Sequence, residues 1–385
     1  MQRGVRVQPS GNPMQIEDVY ASGFRRAKRS APLIVQALFL ILWGPFGILL
    51  VALRASLLAL AAVILLRLPV GIKRSISRPV GAFIFRFIFG WIPSVSNRRH
   101  LAGARLITLN HIGNLDAIFA YLFLCRTTAV VHRMYAGIWV LLQRLGLLGR
   151  CIYTSDFNPA EAQRMRDEIT ATVKGDATQH APLLLCPEGT VNRGDVALLR
   201  YERFVFELGV PVTPCALRVS HPWPFVHWRI GASAVDNVLW MLFLPCVVIR
   251  FHVLPPMSRS ANESSAAFAS RVQQLTATRL GVHVCDHSWV ERDAFLQAIG
   301  MQRYNPKLWL KARTTVGEKR DELLARLEAS PGAPNRALLT RLLQQCKAKR
   351  EGEGGNGMQG GGGNGMQGGG GGTPAAAAQE LKQEL

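Results

Sequence analysis

The stretch Arg105-Leu106-Ile107-Thr108-Leu109-Asn110-His111-Ile112-Gly113-Asn114-Leu115-Asp116 decides the reading of this chain. Its first half is a short apolar run of the kind buried inside a sheet, and its second half delivers a histidine into a loop with a carboxylate five residues on. One turn of loop suffices to bring the Asp oxygen to one imidazole nitrogen. That contact fixes the tautomer and leaves the other nitrogen free to act as a base. A His backed by an ionised Asp can take the proton from a hydroxyl while that oxygen attacks an activated carbonyl. The same string also suits a surface His beside an N-capping Asp116, so a second element has to choose.

That element is Pro182-Leu183-Leu184-Leu185-Cys186-Pro187-Glu188-Gly189-Thr190, another apolar strand ending in a turn with a carboxylate and a glycine. Between residues 98 and 254 short apolar runs alternate with polar helical stretches, and 106–109, 183–186, 210–219 and 247–253 read as strands. The pattern predicts an α/β domain with a mixed, largely parallel sheet flanked by helices. One helix starts with Asn158 as N-cap, Pro159 in first place and Glu161 three residues after the cap, and repeats apolar residues at Ala162, Met165, Ile169 and Val173. Another is expected over 262–280 with Gly281 as its stop. No GxSxG elbow occurs, which fits chemistry in which the substrate supplies the hydroxyl.

His111-x4-Asp116, then Pro187-Glu188-Gly189-Thr190 about 75 residues later, then Val210-Pro211-Val212-Thr213-Pro214, resembles the first, third and fourth motifs of the glycerolipid (PlsC-type) acyltransferase superfamily. The resemblance covers residues 98–255. It implies an acyl-CoA co-substrate and a lysophospholipid or related glycerolipid acceptor. It also implies His111 as general base and Asp116 as its orienting partner. Glu188, Gly189 and Thr190 would belong to the pocket for the glycerol backbone or its phosphate, and Pro211 would shape the acyl-CoA site. No metal and no cofactor are expected, because the thioester is already activated and backbone N–H groups can hold an oxyanion.

One motif departs from the family. Where its second motif ends in an Arg for acceptor phosphate, Gly149-Arg150-Cys151-Ile152-Tyr153-Thr154-Ser155-Asp156 has Ser155. Arg150, or Arg193 after the third motif, is the expected substitute, with Arg200 and Arg203 as further candidates. The stretches 239–245 and 267–275 also resemble the ancient-ubiquitous-protein branch of the superfamily. That branch implies an alternative: a lipid-droplet or endoplasmic-reticulum adaptor in protein quality control, with ubiquitin-pathway partners and a weak or inactive acyltransferase domain.

The rest of the chain points to a membrane. The 385 residues carry 45 Lys or Arg against 25 Asp or Glu, a net charge of +20, and 49% are hydrophobic, which excludes a disordered protein. No zinc-finger spacing or RNP-like signature accompanies the charge, so an anionic membrane face is expected and nucleic acid is not. Residues 1–30 read as a basic flexible leader. Residues 31–70 are an apolar run read as a membrane hairpin or a transmembrane segment, with Gly44, Pro45 and Gly47 at the break and positive charge on both flanks. Residues 71–97 are expected to hold an interfacial or docking helix.

The acyltransferase domain is expected at 98–285, facing the cytosol from the endoplasmic reticulum membrane or a lipid droplet. A basic helical region follows at 286–350; residues 301–350 alone carry twelve Lys or Arg against four acids, with helical patches at 323–327 and 338–343. A Gly-rich disordered tail, with Gly-Gly-Asn-Gly-Met-Gln twice, closes the chain at 351–385. The seven cysteines stand singly without a CxxC pair and read as small core residues. His283 and His287 flank Cys285 without further ligands at metal spacing.

Overall fold

The computed structural model describes residues 31–154, 159–175, 181–192, 194–230 and 232–298, with isolated positions at 16, 19, 28, 318, 319, 321, 322 and 325. Most of the leader, almost all of 301–350 with nearly all of its two helical patches, and the Gly-rich tail lie outside the described residues, as do Asn158, Ser155 and Arg193.

Seven strands form one sheet in the order β1-β8-β7-β2-β5-β3-β4. They are β1 (Trp91–Ser96), β2 (Leu106–Leu109), β3 (Thr128–His132), β4 (Cys151–Thr154), β5 (Leu183–Leu185), β7 (Val212–Ser220) and β8 (Val247–Val253). Every pairing is parallel except β7 with β8. A two-stranded parallel pair, β6 (Ala197–Leu198) with β9 (His283–Val284), sits apart from the main sheet. The mixed, largely parallel sheet is the one the alternating pattern predicts. Strand β2 is buried at all four positions because apolar layers cover both of its faces, which is why it reads as a continuous apolar run. Ile107 and Leu109 point into one core layer with Leu184, Cys215, Leu217, Trp228 and Ile249. Leu106 points into the other, with Leu183, Val212, Phe268 and Val272.

Three of these strands escape a reading from pattern alone. β3 and β4 are short and flanked by polar residues. β1 lies inside the stretch expected to form an interfacial or docking helix: a helix, α2 (Val70–Phe83), occupies the first part of it, followed by a π-helical turn at Ile84–Ile88, but the chain then extends and pairs with β8, 156 residues downstream. The sheet therefore begins before residue 98. Beyond 285, α8 (Trp289–Ala298) buries Ala294, Phe295 and Leu296.

The apolar run of 31–70 is one continuous helix, α1 (Leu33–Arg67), with Pro45 inside it and no return turn. Gly47 is there for close approach: a Cβ at that position would lie 2.3 Å from the Phe243 ring of α6 (Ala234–Phe243). The helix docks along one side. Trp43 Nε1 donates to the Phe243 carbonyl at 2.9 Å, and the buried Arg54 guanidinium donates to the carbonyls of Leu242, Leu244 and Pro245 at the end of α6. Those carbonyls have no partner within their own helix, so Arg54 serves as a C-cap supplied from elsewhere in the chain. The other side of α1 leaves Leu42, Leu49, Leu53 and Leu60 exposed. Its 35 residues make it long and apolar enough to cross a membrane, at about 1.5 Å of rise each against a hydrocarbon core of roughly 30 Å.

The remaining helices are α3 (Asp116–Phe119), α4 (Ala136–Arg144), α5 (Pro159–Lys174) and α7 (Ser265–Leu280). Helix α5 begins at Pro159 as its spacing predicts. Helix α7 starts three residues later than expected, because the Ser264 side chain accepts from Ala267 N as the N-cap; it stops at Gly281 in the left-handed region, as expected.

Candidate active site

The site lies where β2 and β5 end, at the carboxyl edge of the parallel strands, the place where α/β sheets present loops to ligands. Asn110 leaves β2 pinned to its neighbour: its side-chain amide donates to Leu217 O at 3.0 Å and its oxygen accepts from Leu217 N at 2.7 Å. His111 follows in a fixed position. Its Nδ1 lies 2.9 Å from Asp116 Oδ2, and that same oxygen accepts from Ile112 N at 2.7 Å and Gly113 N at 3.0 Å. One carboxylate oxygen thus organises the whole loop and holds the imidazole by one nitrogen, leaving the other ring nitrogen to act. Asp116 is buried, whereas the His111 side chain is 24% exposed. Gly113 is required by packing, since a Cβ there would meet the Trp228 ring at 3.2 Å.

Glu188 is the second anchor and differs from expectation. It is fully buried and presents nothing to a substrate. Its Oε1 accepts from His111 N at 2.9 Å, and its Oε2 accepts from Asn192 Nδ2 at 2.7 Å and Leu199 N at 3.0 Å. The carboxylate therefore clamps the His111 loop to the loop after β5, and Asn192 N completes the clamp by donating to His111 O at 2.7 Å. Burial pushes the Glu188 carboxyl up to about 7, against the pull of these donors.

The remaining expected residues separate. Gly189 takes φ +70° in the turn closed by Gly189 N on Cys186 O, is exposed, and abuts Trp289 of α8. Thr190 follows it, half-buried. Pro211 is exposed at the opposite end of the sheet: Val212, next to it, pairs with Leu106, so Pro211 stands about 20 Å of strand from His111 at roughly 3.3 Å per residue. Arg150 also precedes its strand, at that same far end, and pairs with Glu168 at 2.6 Å. Arg200 and Arg203 are exposed beyond β6. A cavity of about 260 Å³ bounded by Ala104, Arg105, Cys125, Val173 and Pro182 lies at the far end of β2 and contains none of the site residues.

One residue of the site reads in the sequence only as a small core side chain. Cys186, half-exposed at the end of β5, joins His111 and Asp116 in a group whose sulfur, nitrogen and oxygen atoms all lie within 4.8 Å of one another. Burial raises the thiol, partly offset by His111. Burial also pulls the imidazole down, but its contacts with Cys186 and Asp116 outweigh this and hold it well above the usual histidine range. The three side chains are of metal-ligating type. The hydrogen bonds of Asp116 Oδ2, however, are already those of a carboxylate orienting a histidine. The tripeptide Cys186-Pro187-Glu188 held the signal: a thiol at a strand end two residues before a buried carboxylate.

No protein-family model matches the chain. A Caenorhabditis elegans protein named lipid droplet-regulating VLDL assembly factor AUP1 homolog is 27% identical over 285 residues, 71% of this chain and 66% of that protein. The AUP1 of Xenopus tropicalis is 37% identical over 116 residues, 30% of this chain and 28% of the frog protein. Lysophospholipid acyltransferase LPCAT4 of Xenopus tropicalis is 26% identical over 229 residues, 57% of this chain and 42% of that protein. Each match thus spans less than two thirds of the relative's own length. Among solved structures, the 1-acyl-sn-glycerophosphate acyltransferase PlsC of Thermotoga maritima aligns with a TM-score of 0.44 at 14% identity, covering 62% of this chain and 95% of that one. By its motifs and by relatives that carry the AUP1 and LPCAT4 names, the chain resembles the PlsC-type glycerolipid acyltransferase superfamily, and within it AUP1 and the lysophospholipid acyltransferases.

Proposed function

We propose that the chain is a membrane-bound acyltransferase that moves a fatty acyl group from acyl-CoA to the hydroxyl of a lysophospholipid or related glycerolipid. The observation that carries the reading is the imidazole held by Asp116 at 2.9 Å on a loop clamped by a buried Glu188. Such rigidity suits a base that must meet a hydroxyl and a thioester carbonyl together. His111 takes the acceptor proton, and Asp116 stabilises the imidazolium that forms. Gly189 and Thr190 are the site residues left open to the glycerol backbone. Arg193 is the cation proposed for its phosphate. The outward leucines of α1 seat the domain on a membrane, and endoplasmic reticulum or lipid droplet with the site facing the cytosol is the placement this reading adopts.

A second reading has its own support in the AUP1 relatives, whose name describes lipid-droplet regulation and VLDL assembly. In it the fold is kept for droplet association and quality control with ubiquitin-pathway proteins, and acyl transfer is weak or absent. Transfer of radiolabelled acyl-CoA to a panel of lysophospholipids and glycerol-3-phosphate separates the two. Membranes holding the wild-type chain, His111→Ala or Glu188→Ala at equal abundance are compared. Acylation lost in both variants establishes the enzyme and names its acceptor. Wild-type signal equal to the His111→Ala background on every acceptor sinks the enzyme reading.

A further inference from the structure

Strands β7 and β8 set two arginines side by side. Arg218 and Arg250 are direct partners in that antiparallel pair, and like charges opposite each other weaken a sheet. Arg279, exposed at the end of α7, adds a third charge: its guanidinium donates to His252 Nδ1 at 2.8 Å, and His252 stands two residues from Arg250 on the same face of β8. The Ser96 hydroxyl lies 2.9 Å from that nitrogen, and Arg250 donates to Ser220 Oγ at 2.6 Å. Among the described residues no carboxylate pairs with any of the three arginines. Burial, then Arg250 and Arg279, pull the Arg218 guanidinium down; burial and the three arginines hold His252 below the usual histidine range. Three neighbouring cations with no acid among them call for an anion from outside.

The place of the cluster narrows the anion. Val247, Ile249, Phe251 and Val253 point into the core layer that α1 joins through Phe39, Leu58 and Leu65, so Arg250 and His252 face the other way. A bilayer seated on the outward leucines of α1 lies across the sheet from the cluster, which therefore meets solvent and a soluble ligand. Cys215 pairs with Leu109, so Arg218, three residues on, is level with the loop that starts at Asn110 and carries His111. At about 5 Å between strands, Arg218 and Arg250 stand roughly 5 and 10 Å to the side of β2. Pro211, the residue expected at the donor's site, is at the opposite end of the same β7.

We propose that Arg218, Arg250 and Arg279 form a subsite for the phosphate groups of a soluble nucleotide thioester, the CoA part of the acyl donor, with the Ser96 and Ser220 hydroxyls beside them. The inference rests on the acyl transfer proposed above and names where its donor is held. In such a donor a long flexible arm separates the phosphates from the thioester. A cationic cluster one and two strands away from the strand that delivers the base matches that separation. Guanidinium forks grip phosphate oxygens two bonds at a time, and a bound phosphate removes the repulsion between Arg218 and Arg250.

The test is equilibrium dialysis of radiolabelled CoA against the full chain purified in detergent, comparing wild type with Arg218→Gln, Arg250→Gln, Arg279→Gln and Arg250→Lys. The proposal expects each Gln variant to bind CoA about tenfold more weakly, and pyrophosphate to compete with CoA on the wild type. Arg250→Lys, which keeps the charge, should regain most of the binding, a recovery that a folding defect in the Gln variant would not explain. In acyl transfer the Gln variants should raise KM for acyl-CoA about tenfold and leave KM for the lysophospholipid unchanged. Equal CoA binding by wild type and all four variants overturns the subsite, and transfer that still depends on His111 would then leave the acyltransferase reading standing. Variants that keep CoA binding but lose binding to phosphatidylserine vesicles overturn it equally, in favour of a membrane contact. A wild-type chain that binds no CoA and acylates no acceptor refutes the donor reading itself, and this inference with it.

Discussion

Replacing Glu188 by Gln keeps the shape of a fully buried side chain and removes only its charge. All three of its partners are donors, on His111 N, Asn192 Nδ2 and Leu199 N. A Gln carbonyl can keep the two bonds to Asn192 and Leu199, but its amide then points an N–H at the His111 N–H. Losing that charge-assisted bond and stranding a donor costs about 2 to 3 kcal/mol. Against this stands the cost of the buried charge. Burial lifts the carboxyl from an ordinary 4.5 to about 7. At about 1.4 kcal/mol per unit, holding it ionised above pH 7 costs roughly 3 kcal/mol.

The sign follows from linkage. The folded state binds this proton more tightly than the unfolded state, so the stability Glu188 contributes is fully present below about pH 4.5 and is lost as pH rises through about 7. The Gln variant has no such loss. Thermal unfolding of the full chain in one detergent should therefore show wild type losing stability relative to Glu188→Gln as pH rises from 5 to 8. The relative shift between the two melts should be on the order of 5 °C. Every other titrating group is common to both proteins and cancels. Parallel curves across that range would refute the reasoning, because the carboxyl would then not be titrating between its unfolded and its buried value.

The raised imidazole must be neutral to act as a base, so acyl-transfer kcat/KM should climb with pH through a limb above the ordinary histidine range. Asp116→Asn should move that limb to lower pH and lower its plateau about a hundredfold. Gly47→Leu should unseat α1 from α6, since its side chain would enter the Phe243 ring, and cost about 1 to 3 kcal/mol in the same melts. Arg54→Met should strand the carbonyls of Leu242, Leu244 and Pro245 and destabilise by about 3 kcal/mol. Faster amide exchange confined to the end of α6 would support that assignment, and an unchanged melt would rule it out.

Part of the site was legible because it is local. The dyad spans five residues, and a loop that short leaving a buried strand has few ways to place its carboxylate other than against the imidazole. The alternation of short apolar runs was legible for the same kind of reason, since burial on both faces of β2 and β5 demands it. β3 and β4 were not, because strands of four or five residues with polar neighbours leave too little pattern to separate them from loop. Glu188 was legible as a functional carboxylate and misread as a substrate contact. Nothing in its own neighbourhood shows that its two partner loops, at His111 and Leu199, close over it.

By itself the sequence determined the His111 and Asp116 pair, the sheet class and the presence of one long apolar run, all of which follow from residue type and short spacing. The tertiary structure alone decided which ends and faces meet. It set Cys186 beside His111 across 75 residues, sent Pro211 to the far end of β7, paired β1 with β8, and turned Gly47 from an expected break into a notch for Phe243. The physical reason is register. A parallel strand carries no mark of which neighbour it will join, and one choice of partner moves every residue beyond it to a different edge of the sheet.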